Sequence, residues 1–180
     1  HGRHGLPGAG VAADTAADDS TASAFRARLK HLGSTRTLEI LPLVDWNAAR
    51  SDLRGEAGVS YLVRTDHSTI LFDVGGNLAR SDPSPLVANM RQLGIRLADI
   101  DTIVISHNHM DHVGGSSNAA LATFSLDSTP IDLRDKRVFV PTPMTHPGIE
   151  PVVVREPTVL APGVASAGPV SARIHMGPVD

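Results

Sequence analysis

The chain has 180 residues, 41% of them apolar and 19% charged, with a formal charge of −3 and no cysteine. That length suits one globular domain with its own core, left mostly to Val, Leu, Ile and Ala because only 3% of residues are aromatic. Disulfides, thiolate catalysis and Cys-type zinc sites are excluded; scattered Lys and Arg under a weak negative charge argue against nucleic acid as a partner, and no apolar run approaches the roughly 18 residues of a membrane-spanning helix.

Residues 1–19 are rich in Gly, Ala and Asp without periodicity, which predicts a flexible arm ahead of a domain covering residues 20–180. The arm lacks a charged start followed by an apolar stretch, so a processed or tagged end is expected, on a soluble protein that is either cytoplasmic or processed and exported. Phe25, Leu29 and Leu32 then fall on one helical face, with Gly33 as the stop. TLEILPLVDW, from Thr37 to Trp46, reads as a strand. VSYLVRT and TILFD read as a hairpin turning at Asp66, His67 and Ser68. Ser84 can cap a helix whose first position is Pro85, with Leu86, Met90 and Leu93 on one face and Gly94 just past its end. DTIVIS follows as a short apolar strand of the kind buried on both faces. RVFVP later reads as another strand, and SARIHMG as an alternating one.

Directly after DTIVIS come His107, His109, Asp111 and His112, three imidazoles and a carboxylate within six positions. In extended backbone, residues two apart project to the same side about 7 Å apart at Cα. His107 and His109 can therefore converge on one ion at roughly 2.0–2.1 Å per nitrogen. After a turn at Met110, Asp111 and His112 can present a second pair to a second ion, about 3.5–4 Å from the first if a hydroxide bridges them. Gly114 and Gly115 let the backbone pass close beneath, ahead of a helix in small residues. Four such side chains at a buried strand's end are better explained as a metal centre than as solvated surface.

At these four residues the sequence resembles the metallo-β-lactamase-fold superfamily, whose signature is His-x-His-x-Asp-His after a short apolar strand. The resemblance implies that His107 and His109 serve a first zinc and Asp111 and His112 a second. The presence of His112 points toward the hydrolases of the superfamily, such as lactonases, glyoxalase II, RNase Z and phosphodiesterases. TILFDVGGN is similar to the family's Leu-Phe-Asp-x-Gly strand end, which implies that Asp73 supports the metal site by hydrogen bonding from beneath. On its own, Asp73 reads equally as a turn residue before Gly75 and Gly76. The order of these motifs and the later LAPGVASAG resemble the branch containing the dihydropterin ribofuranosylaminobenzene phosphate synthase-like proteins, over about residues 37 to 175. The fold implied is α/β, a four-layer αβ/βα sandwich of which this chain supplies mainly the N-terminal αβ half.

The resemblance also implies one further His for each metal and a bridging Asp downstream. His146, in PTPMTHPG, and His175, in SARIHMG, are secondary candidates, each read as readily as a surface or structural side chain. Asp127, Asp132 and Asp135 come too early for the bridge. His67, in the hairpin turn, and His1 and His4, in the arm, suggest no function, while Trp46 and Tyr61 read as core or pocket rim. The expectation is a second chain or downstream fragment that completes both the site and the fold, because a lone half would leave an apolar sheet face uncovered.

Two zinc ions, with iron or manganese as alternatives for these ligands, would generate a bridging hydroxide able to attack an ester, lactone or phosphodiester. Asp111 is the carboxylate placed to orient it and take up a proton. The expected function is thus a metal-dependent hydrolase of a small molecule; the alternative is a catalytically silent metal-binding or scaffold protein on the same fold.

Overall fold

The computed structural model describes Ser23, Ala27 and residues 29–169. The expected arm, Phe25 and His175 lie outside the described residues. Ser23 and Ala27 are helical, Leu29 is buried, and Gly33 takes a left-handed φ of 76°, in keeping with a helix that stops there.

Eight strands and two α-helices follow: β1 (Leu38–Val44), β2 (Ser60–Thr65), β3 (Thr69–Phe72), α1 (Pro85–Gln92), β4 (Thr102–Val104), α2 (Ser116–Ala120), β5 (Arg137–Val140), β6 (Val152–Val153), β7 (Thr158–Ala161) and β8 (Val164–Ser166). The expected hairpin is β2–β3. The Thr65 hydroxyl closes its turn by accepting from the His67 and Ser68 N–H groups at 3.1 and 3.0 Å. The α1 cap also forms as read: the Ser84 hydroxyl accepts from the Val87 N–H at 3.1 Å and donates to the Leu126 carbonyl at 2.6 Å. Beyond β5 the sequence analysis missed β6 to β8, which have only two to four residues each.

Strands β1 to β6 form one sheet in chain order, antiparallel from β1 to β3 and parallel from β3 to β6. Since β1 and β3 both run against β2, the carboxyl ends of β1, β3, β4 and β5 share one edge, where α/β sheets usually build their sites. One face, through Leu62, Leu71, Ile103 and Val138, packs beneath Leu86 and Met90 of α1 to form the larger core. On the other face Ile70, Val104 and Phe139 pack against Val154, Leu160 and Ala161, so the β7–β8 hairpin covers its middle. Beside that hairpin lies an apolar cleft of about 450 Å³, lined by Val63, Phe72 and Val164 among others. Toward β1 the cover ends: Ile40, whose register partner is Val63, is 58% exposed, and Leu38 is 62% exposed. Trp46, expected in the core or at a pocket rim, is 72% exposed just past the end of β1, where the chain turns away from the sheet. Among the described residues, no helix is long and apolar enough to cross a membrane.

A buried amide fastens α1 to this sheet edge. The Asn89 amide donates to the Leu43 and Arg54 carbonyls at 2.7 and 2.8 Å, and its oxygen accepts from the Arg54 N–H at 2.8 Å. Asn89→Ala would strand three backbone groups, and unsatisfied buried groups make this costlier than a lost surface bond. We expect a loss of about 2–4 kcal/mol in urea unfolding, seen as a lower midpoint at unchanged slope. A loss below about 0.5 kcal/mol, the range of surface substitutions, would show that the amide carries no such load.

Candidate metal centre

Strand β4 ends in fully apolar packing, and the chain emerges from it at Ser106 with the histidines immediately beyond. From His109 it makes a tight turn, the His112 and Val113 N–H groups both returning to the His109 carbonyl at 3.0 and 3.2 Å. The turn gathers the imidazoles: the His107 ring centroid stands 4.5 Å from that of His109 and 3.9 Å from that of His112. Gly114 is required by a close approach, since a Cβ there would lie 2.3 Å from the Ser125 carbonyl oxygen, at a φ of 83°.

Beneath the imidazoles lies Asp73, fully buried at the end of β3 and held at a left-handed φ of 58°. Its carboxylate accepts from the Ser106 N–H at 2.7 Å, from the Ser106 hydroxyl at 2.7 Å and from His112 Nδ1 at 2.8 Å. The Ser106 hydroxyl also meets His107 Nδ1 at 2.9 Å. A hydroxyl has one proton, and an ionised carboxylate can only accept. Ser106 therefore donates to Asp73, and His107 must donate its Nδ1 proton to Ser106. By the same reasoning His112 donates its Nδ1 proton to Asp73. One buried carboxylate thus fixes two tautomers, leaving the Nε2 lone pairs of His107 and His112 available.

The donor chemistry fits a cation. His112 Nε2 lies 3.3 Å from Asp111 Oδ2, and in this tautomer both atoms are acceptors with nothing shared between them. A cation or a proton in that space relieves their repulsion. His107 is held neutral more firmly than an ordinary histidine, its pKa lowered first by burial and then by the neighbouring His112 and His109. Among the described residues, no group of three or more His, Asp or Glu side chains is disposed to hold one ion as it stands. What the loop presents is four donors within one turn, Asp111 and His109 on its more open side.

His146, the secondary candidate among the described residues, and the residues given no role in the sequence lie outside this turn. The His146 ring lies on Phe124, 4.8 Å between centroids, and its Nδ1 meets the Pro147 carbonyl at 3.1 Å. Asp127 accepts from the Ser84 and Ser128 N–H groups at 2.7 and 2.9 Å, and Asp132 and Asp135 pair with Arg134 and Lys136. His67 sits beside Asp66 in the hairpin turn. Sequence reasoning missed Ser106: a serine ahead of the first histidine carries no signal until Asp73 is known to lie beneath it. Asn108 turns to the following helix, its amide donating to the Ala119 carbonyl at 3.0 Å.

Residues 53–123 match the family model described as the metallo-beta-lactamase superfamily. Over 92 residues the chain is 32% identical to 7,8-dihydropterin-6-methyl-4-(beta-D-ribofuranosyl)-aminobenzene-5'-phosphate synthase of Methanocaldococcus jannaschii, covering 48% of this chain and 30% of that protein. It is 34% identical over 79 residues to the anti-Pycsar protein Apyc1 of Bacillus phage vB_BsuM-Goe3, covering 43% of this chain and 29% of that one. The chain thus spans less than a third of these relatives. A metallo-beta-lactamase from Cronobacter sakazakii is similar at 31% identity over 45% of this chain and 27% of its own, with a TM-score of 0.29. The segment that matches the metallo-β-lactamase superfamily, residues 53–123, holds both Asp73 and the histidine turn.

Proposed function

We propose that this chain carries the metal-binding loop of a metal-dependent hydrolase, with His107 and His109 serving one divalent ion, Asp111 and His112 a second, and Asp73 holding the loop from beneath. The observation that carries the reading is the shared anchor, in which one buried carboxylate fixes His107 through Ser106 and His112 directly, with both Nε2 atoms left free. Bound zinc, or iron or manganese in its place, would supply a hydroxide at neutral pH and polarise the substrate oxygen. The chain's own contribution is to orient His107 and His112 through Asp73 and to favour the neutral form of His107. Asp111, partly exposed at the rim, is the carboxylate within reach of a substrate and the group we assign to accept the proton released in hydrolysis. An ester, lactone or phosphodiester of a small molecule is the substrate class we propose.

The remaining ligands and the cover for the face that exposes Leu38 and Ile40 we assign to a second chain or a downstream fragment. The donors brought together here number four, and the apolar face toward β1 has no described partner, which together support this assignment.

A panel of nitrophenyl esters, lactones and nitrophenyl phosphodiesters, assayed with and without chelator, tests the activity. We expect turnover that chelation abolishes and zinc restores, and that falls by at least about 100-fold in Asp111→Ala, in the range of a lost acid or base. Tight metal binding with no turnover on any substrate would favour the scaffold reading instead. Elemental analysis tests the ligands: the His107→Ala, His109→Ala double variant should lose bound metal, and undiminished metal would refute the site.

Asp73→Asn keeps the shape but turns one acceptor into a donor facing Ser106 or His112. We expect metal affinity to fall about 10- to 100-fold, the usual effect of an outer partner to a ligand, while the fold persists by circular dichroism. Unchanged affinity would reduce Asp73 to a structural residue.

Acid competes with metal for imidazole, so uptake should weaken as pH falls through the histidine range. Because the His107 pKa is lowered, its proton arrives at a lower pH than on an ordinary imidazole. Metal held through His107 should therefore persist to more acid pH than metal on a free imidazole reference. A pH titration of zinc binding showing earlier loss than the reference would contradict this.

A further inference from the structure

Three loops stack at the carboxyl edge of the sheet: the connection from β1 to β2, the stretch after β3, and the turn of the histidine cluster. Glu56, in the first of them, joins the second through three backbone bonds. Its Oε1 accepts from the Gly76 N–H at 2.9 Å and the Asn77 N–H at 3.0 Å, and its Oε2 accepts from the Leu78 N–H at 3.2 Å. A single carboxylate thus gathers three consecutive N–H groups, while its own N–H is tied to the Asp45 carbonyl at 3.0 Å. The second loop in turn carries the third. The Gly75 carbonyl accepts from the Gly114 N–H at 2.8 Å, and a Cβ on Gly76 would lie 3.3 Å from the Asp111 Cα. The first loop also touches the third directly: the Val59 N–H donates to the Asp111 carbonyl at 3.2 Å, and a Cβ on Gly58 would come within 2.9 Å of the same oxygen. Asp111 and His112 are therefore positioned by backbone contacts that Glu56 holds together.

We propose that Glu56 is a positioning residue for the Asp111 and His112 side of the metal centre, acting through the 75–78 loop. The inference rests on the reading of the cluster as a metal centre. Only a carboxylate suits the position, since it accepts through both oxygens, whereas glutamine would turn an N–H₂ toward one of three N–H donors. A filler of space alone would tolerate glutamine, which has nearly the same shape.

Zinc affinity of the full chain, measured by chelator competition, tests this, together with the visible spectrum of the cobalt-loaded protein. Glu56→Gln should weaken zinc binding about 10- to 100-fold and change the cobalt bands, as loss of an outer support does. Glu56→Asp, which keeps the charge on a shorter stem, should fall between glutamine and wild type and decides the matter should the glutamine variant not fold. Val138→Ala, a truncation in the larger core at β5 that touches none of these backbone bonds, should lose stability yet keep zinc affinity within about 3-fold, below the 10-fold lower end of an outer-partner effect. Wild-type affinity in Glu56→Gln, or in Glu56→Asp should the glutamine variant not fold, would overturn the proposal, as would an equal loss in Val138→Ala. If His107→Ala also leaves zinc affinity unchanged, it is the metal centre that fails; if His107→Ala abolishes binding and Glu56→Gln does not, only the role of Glu56 fails.

Discussion

A buried negative charge is expensive unless its lone pairs are filled, and among the described residues the carboxylate of Asp73 fills them with groups from the turn that follows β4. Strand β3 delivers the carboxylate and β4, its parallel neighbour, delivers Ser106. Pairing these two strands in register is thus also what assembles the anchor, because a shift of one residue would turn Asp73 to the opposite face. The left-handed backbone at Asp73 belongs to the same constraint, since the chain must leave the strand sharply to bring the side chain under the turn.

From that anchor the surrounding architecture follows. The larger core under α1 fixes the sheet on one side, and Asn89 ties the helix to the end of β1 and to the connection that follows it. The β7–β8 hairpin holds the middle strands on the other side, where β3, β4 and β5 converge. The exposed flank at Leu38 and Ile40 lies on the edge strand, two strands from β3.

Elements with local signals were legible in the sequence. Ser84 followed by Pro85, the β2–β3 hairpin and the apolar run before His107 each announce themselves within a few residues, and each lies where it was read. The histidine cluster was legible for the same reason, its donors being neighbours in the chain. Strands of two to four residues such as β6 and β8 show no period and were missed. Ser106 and Glu56 were illegible for a different reason, because their partners are 33 and 20 or more residues away and meet them only once the loops have stacked. Trp46 misled because a large aromatic is usually buried, and here β1 ends two residues before it.

The two ends of the turn are not held alike. His112 is gripped twice by consecutive residues of one loop, its ring by Asp73 and its carbonyl by the Val74 N–H at 3.0 Å, so it moves only as that loop moves. His109 and Met110 at the outer end are exposed, and Asp111 is only partly covered. The cluster therefore has a fixed floor and an open lip. A disturbance of the turn is therefore taken up at the lip, and the floor gives way only when the loop after β3 gives way with it.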